Sequence, residues 1–138
     1  LARARDVVLA LDGTVPRDLP ELAADCVRFA EAELMPHFER EETLLVPPFA
    51  ARVGEGDVDL TTMRDQHAEL RTLTDVLLED QGGVSLADRL SAWSKALTGH
   101  IRFEERIFFN RVQATLSEAE MGAVGKGLAA DSGPACSL

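Results

Sequence analysis

HIRFEERIFF, residues 100–109, decides how this chain is read, because residues 37–46, HFEREETLLV, repeat its pattern without a gap. Each copy carries a histidine, a glutamate four positions later and a second glutamate beside it. These are His37, Glu41 and Glu42 in the first copy and His100, Glu104 and Glu105 in the second. On an α-helix of 3.6 residues per turn, positions four apart are offset by only about 40°, so each histidine shares a face with its fourth-following glutamate. Imidazole and carboxylate one turn apart make a metal-ligand pair.

Outward from the two copies, the apolar pattern is helical. Residues 86–115 carry the clearest stripe, through Leu86, Leu90, Trp93, Leu97, His100/Ile101, Glu104 and Ile107/Phe108, opened by a capping arrangement of Ser85 with Asp88. The first copy lies in a long helix expected from about Asp18 to Ala51, whose stripe of Leu22, Cys26, Phe29 and Leu44 is interrupted by Glu33, His37 and Glu41. Pro36 removes a backbone hydrogen bond and is expected to kink that helix just before His37, and Pro47-Pro48 to end or bend it. Between the copies, a helix over roughly residues 60–80, capped by Asp59 or a following threonine and stopped by Gln81-Gly82-Gly83, has the stripe Met63, His67, Leu70, Thr74 and Leu77.

Residues 1–12, LARARDVVLALD, place Leu1, Ala4, Val8 and Leu11 at helical spacing and read as the end of a first helix closed by Gly13. The chain starts at Leu1 rather than Met, so the native first helix is expected to begin further upstream. Ser117 and Glu120 form a capping box for a short last helix to about Ala130, and residues 131–138 read as a tail. No segment alternates with period two, and the connections are short. The expected architecture is therefore all-α: an up-and-down antiparallel four-helix bundle with a short additional C-terminal helix, in one domain over residues 1–130.

Composition narrows the function classes. A chain of 138 residues can bury a core without disulfides, and Cys26 and Cys136 lie too far apart to suggest a disulfide framework, which points to a reducing cytoplasm. The 24 acidic and 14 basic residues give a net charge of −10, which argues against nucleic-acid and anionic membrane partners. No apolar run approaches the ~18 residues of a membrane span.

Five ionisable side chains, His37, Glu41, His67, His100 and Glu104, fall on stripes that otherwise carry Leu, Phe, Trp and Ile. A buried, unpaired carboxylate costs several kcal/mol or is driven to protonate, so two of them, each with a histidine, need a partner. Core histidines hydrogen-bonded to partly exposed glutamates would be the plain explanation of one such pair. The repeat and a third histidine in register favour a cation instead. Imidazole and carboxylate without thiolate suit iron, manganese or zinc, and a carboxylate from each of two helices can bridge two ions. A ferritin-like centre requires Glu three residues before each His, but those positions hold Leu34, Arg64 and Leu97.

With PHFEREE at 36–42, DQHAEL at 65–70 and HIRFEER at 100–106, the chain resembles the hemerythrin-like, HHE cation-binding family over nearly its whole length. The resemblance implies a bundle holding a non-haem di-iron centre, with His37, His67 and His100 as terminal ligands and Glu41 and Glu104 as bridges. Some members place the second carboxylate five residues after the histidine, which would be Glu105; helix geometry and the match to Glu41 favour Glu104. The family's first helix supplies a histidine that residues 1–12 lack, so one is expected upstream of Leu1. Oxygen-carrying members have His-x-x-x-His on the third helix, whereas His67 is followed by Arg71. That departure implies an open position suited to binding or sensing dioxygen, nitric oxide or peroxide.

Two other functions remain open at the level of sequence. One is an enzyme of peroxide decomposition or iron-centre repair, for which no separate base, nucleophile or cofactor loop is visible. The other is a structural or interaction bundle without metal, with the histidines as core polar residues; under any of these readings Trp93 and the phenylalanines are core or homodimer contacts. Among the remaining residues, Phe38 or Phe109 is a candidate wall of the metal pocket, Glu33 a candidate extra ligand, and Arg71 a candidate partner of a bridging carboxylate.

Overall fold

In the computed structural model, residues 18–79 and 83–132 are described, and among them every regular element is helical. The expected first helix over residues 1–12 and most of the tail lie outside the described residues, as do Gln81 and Gly82. The first rod is continuous over residues 19–53. It comprises α1 (Leu19–Phe29), the π-turn π1 (Ala30–Leu34), α2 (Met35–Arg40), the π-turn π2 (Glu41–Leu45) and α3 (Val46–Val53). The second is α4 (Val58–Val76). The third runs through α5 (Leu86–Phe103), π3 (Glu104–Phe108) and α6 (Phe109–Thr115), and α7 (Glu118–Ser132) closes the chain.

The π-turns explain where the chain departs from a simple reading of its stripes. Buried positions recur every four residues at 100, 104, 108, 112 and 116, and at 37, 41, 45 and 49. In an unbroken α-helix each four-residue step drifts by about 40°, so such a row would leave the core after two or three steps. A π-turn closes its hydrogen bond over one extra residue and resets the phase. Leu45 is thus 2% exposed and Leu44 36%, reversing the expectation that Leu44 lies on the stripe. Phe108 is likewise fully buried, while Ile107 is 48% exposed.

Two of the wide turns also accommodate prolines. Pro36 stands just after π1, and Pro47 and Pro48 just after π2. The Met35 and Val46 amides reach back five residues to the Ala30 and Glu41 carbonyls, so the expected kink and helix end become wide turns within a continuing rod. The first rod stops at Gly54, whose φ of 94° is open to glycine.

Asp57, rather than Asp59, caps α4, accepting from the Asp59 and Leu60 amides at 3.1 Å, and Arg111 of α6 donates to both aspartates. The helix ends at Val76, before the Gln-Gly-Gly run, with the Leu77 amide bonded to the Thr74 carbonyl. The other two expected caps form. The Asp88 amide donates to Ser85 Oγ at 3.1 Å, and Ser117 and Glu120 exchange reciprocal bonds of 3.0 and 3.1 Å.

Two apolar clusters fill the core. One gathers Leu22, Cys26, Leu34, Phe38, Leu70, Trp93, Leu97 and Ile101, the other Leu45, Phe49, Leu60, Met63, Phe103, Phe108 and Val112. The first and third rods run from the first cluster into the second, and α4 runs back the other way, passing Met63, His67 and then Leu70. The histidine–glutamate residues therefore lie between two apolar layers. Helix α7 packs on α2 and π2, and its Gly127 lets it approach Leu44: a Cβ there would sit 2.6 Å from that side chain. Among the described residues no helix is long and apolar enough to cross a membrane.

Within the first cluster the Trp93 indole N–H donates at 3.0 Å to Thr74 Oγ1, which itself donates at 2.7 Å to the Leu70 carbonyl. Replacing Thr74 with valine leaves the indole N–H buried without an acceptor. The expected loss is about 1–3 kcal/mol, read as a lower urea midpoint with an unchanged slope.

Candidate metal centre

The site is assembled from three rods, and each of the five expected residues is buried: His37 and Glu41 on the first, His67 on α4, His100 and Glu104 on the third. Ligand atoms of Glu41, His67, His100 and Glu104 lie within 4.8 Å of one another. His37 stands at the margin of that group, its Nε2 3.5 Å from Glu41 Oε1. His67 Nε2 is 3.4 Å from Glu41 Oε1 and 3.9 Å from Glu104 Oε1, and His100 Nε2 is 2.8 Å from Glu104 Oε1. Glu105, the other candidate for the second carboxylate, is exposed and stands outside this group. Both glutamates of the cluster open a π-turn, which holds the following apolar residue in the core one full turn below the carboxylate.

The second ring nitrogens of His67 and His100 face elsewhere. His67 Nδ1 lies 2.6 Å from Glu42 Oε2, and His100 Nδ1 lies 2.8 Å from Gln66 Oε1. An ionised carboxylate and an amide oxygen can only accept, so each Nδ1 carries a proton, and Nε2 is the nitrogen each ring turns to the cluster. Phe38 stacks on His67, with ring centres 3.9 Å apart at 11°, and meets His100 edge-on at 5.1 Å. It is the wall of the pocket, while Phe109 packs against Phe108.

Arg71 does not reach either carboxylate of the cluster. Its guanidinium donates at 2.9 and 3.0 Å to both oxygens of Glu42 and lies 5.9 Å over the Phe38 ring. Burial opposes the charge on Glu42, but hydrogen bonds from Arg71 and His67 outweigh it and hold that carboxyl below its usual range.

Electrostatics inside the cluster are frustrated without a cation. Neither Glu41 oxygen, nor His37 Nε2, His67 Nε2, His100 Nε2 or Glu104 Oε1, has a hydrogen-bond partner, although all are buried. Burial, and then the Glu104 charge, push the Glu41 carboxyl well above its ordinary range. Glu104 is as deeply buried, but His100 and His67 around it outweigh burial and hold it below the usual range. Burial also lowers His37 from 6.5 to about 4, so it stays neutral and ready to donate a lone pair. Imidazole and carboxylate acceptors converging on one buried space fit a divalent cation of the iron, manganese or zinc type.

A cation drawn into the cluster binds ionised carboxylates and unprotonated imidazole nitrogens, whereas burial and the Glu104 charge favour the protonated form of Glu41. Cation affinity is therefore expected to fall as pH is lowered, with proton release on binding, measurable by calorimetry in buffers of different ionisation enthalpy.

The parts missed by sequence reading are Gln66 and the role of Glu42. Each stands beside a stripe residue, about 100° around its helix, and helical spacing alone does not show that either reaches an imidazole on the next rod.

The family model of the Hemerythrin HHE cation binding domain matches residues 2–112 of the chain. No curated protein and no solved structure matches it.

Proposed function

Because this chain belongs to the hemerythrin HHE cation-binding family, we propose that its buried histidine–glutamate cluster holds a dinuclear non-haem iron centre that binds or senses dioxygen, nitric oxide or peroxide. The observation that carries the proposal is the set of buried nitrogen and oxygen acceptors that converge without donors between them. His37, His67 and His100 would be nitrogen ligands, and Glu41 and Glu104, from two different rods, the carboxylates able to bridge two ions. Iron bound there supplies the affinity for a small oxidant or diatomic molecule that these side chains lack.

The chain's own contribution is to exclude water and fix the donors. Phe38 covers one face of His67, and apolar layers close the cluster above and below. Such a dry setting strengthens every charge–dipole contact inside it. His67 is followed four residues later by Arg71 rather than by a second histidine, and that departure supports an open coordination position and small-molecule binding rather than a closed structural site.

The test is metal analysis with an absorption spectrum on protein purified without oxygen and then exposed to air. About two irons per chain and new near-ultraviolet absorption on exposure are the expected result. One zinc, or substoichiometric metal of every kind, would overturn the reading.

A further inference from the structure

Two of the three rods that supply a ligand also supply a brace for the ligand on the next rod. Glu42, adjacent to Glu41 on the first rod, holds His67 of α4 at 2.6 Å; Gln66, adjacent to His67 on α4, holds His100 of α5 at 2.8 Å. Glu42 is itself gripped through both oxygens by Arg71, one turn beyond His67 on the same helix. We infer that Glu42 and Gln66 are positioning residues, which fix His67 and His100 as Nδ1–H tautomers with Nε2 turned into the cluster, and that Glu42 is the stronger brace. The inference rests on the cation-binding reading above but is tested separately from it.

Neutral imidazole carries its proton on either nitrogen, and a ring with the proton on Nε2 has no lone pair to offer the cluster. An acceptor at Nδ1 selects the other tautomer and fixes the ring orientation, which Phe38 reinforces for His67 by stacking on its face. The two braces also differ. Glu42 offers a charged acceptor whose orientation is locked by the bidentate arginine, whereas Gln66 offers a neutral amide oxygen. Charge-assisted hydrogen bonds are roughly twice as strong as neutral ones, so His67 is the better electron donor of the two rings. Two imidazoles in similar positions are thereby made unequal.

The experiment uses the whole chain, labelled with 15N-histidine, in two measurements. Long-range proton–nitrogen correlation spectra of the metal-free protein read the tautomers, and anaerobic titration with cobalt(II) reads affinity. Wild-type His67 and His100 should both show a protonated Nδ1. In Glu42→Ala, His67 alone should shift to a mixture of tautomers, with His37 and His100 unchanged as internal controls and cobalt affinity about 10–100-fold lower. Gln66→Ala should do the same to His100 with a smaller loss, and Glu42→Gln, which keeps an acceptor oxygen, should restore the His67 tautomer.

A bare Nδ1 on either wild-type ring, or a Glu42→Ala protein whose His67 signals and cobalt affinity are both unchanged, would overturn the inference. Should Glu42→Ala not fold, Gln66→Ala decides by the same two readouts. A wild type with the expected tautomers that binds no cobalt, iron or zinc overturns the cation reading and upholds the positioning one.

Discussion

Ferrous iron at about a hundred times its dissociation constant is expected to raise the thermal unfolding midpoint by roughly 10 °C, and a chelator to bring it back. A ligand bound only by the folded state stabilises by RT ln(1 + [L]/Kd), about 2.7 kcal/mol at that excess. For a chain of this size each kcal/mol moves the midpoint by about 3–5 °C. The gain is available because the metal-free cluster is strained electrostatically. Glu41 and Glu104 are almost completely buried, and the acceptor nitrogens of three histidines surround them. An anaerobic melting curve with iron, then manganese and zinc, is the measurement. A midpoint indifferent to all three would leave the cluster without a cation.

Replacing Glu41 with glutamine should move metal affinity and metal-free stability independently. Affinity for iron is expected to fall by more than about a hundred-fold, beyond the 10–100-fold loss typical of residues that only support a ligand. The metal-free protein should be as stable as the wild type or more so, because a neutral amide of the same shape replaces a carboxyl whose charge burial and Glu104 both oppose. Isothermal titration and urea denaturation of the same samples separate the two effects. A large loss of stability without metal would contradict this account.

The same variant should reveal a pH dependence that the wild type hides. A carboxyl raised above its unfolded value, as Glu41 is, contributes stability that is full at low pH and is lost as pH rises through its folded value. His37 acts in the opposite sense. Lowered from 6.5 to about 4, it remains neutral in the folded protein while the unfolded chain takes up a proton, so stability falls as pH drops from 6.5 towards 4. The two slopes oppose each other in the metal-free wild type. In Glu41→Gln the opposing slope is gone, and the His37 slope, joined below about pH 4.5 by those of Glu42 and Glu104, is expected to lower stability by about 3 kcal/mol or more between pH 6.5 and 4. Urea unfolding at half-unit pH intervals checks this.

Much of the fold could be read from residue spacing because helical periodicity is a local property. The stripes of residues 60–80 and 86–115 became α4 and the third rod, and the caps at Ser85 and Ser117 formed from side chains three residues apart. Leu44 and Ile107 were assigned to the core for the opposite reason. An α-helical template cannot register a π-turn, and the phase slips by one residue where a turn widens. The prolines at 36, 47 and 48 marked an irregularity in the first rod, but spacing gave no means of telling a kink from a wide turn within a rod that continues.

The sequence by itself determined which side chains enter the cluster. His37, Glu41, His67, His100 and Glu104 occupy stripe positions, and burying a stripe carries along whatever it contains. Only the tertiary structure decided how those groups are aimed. Phe108 rather than Ile107 follows Glu104 into the core because of the phase shift at π3, and Arg71 grips Glu42 rather than a carboxylate of the cluster. His67 and His100 present Nε2 because Glu42 and Gln66 reach them from neighbouring rods. The physical reason is distance along the chain: helical spacing relates residues three and four apart, whereas Glu42 and His67 are separated by 25 positions and Gln66 and His100 by 34. Contacts of that span exist only once the rods have packed.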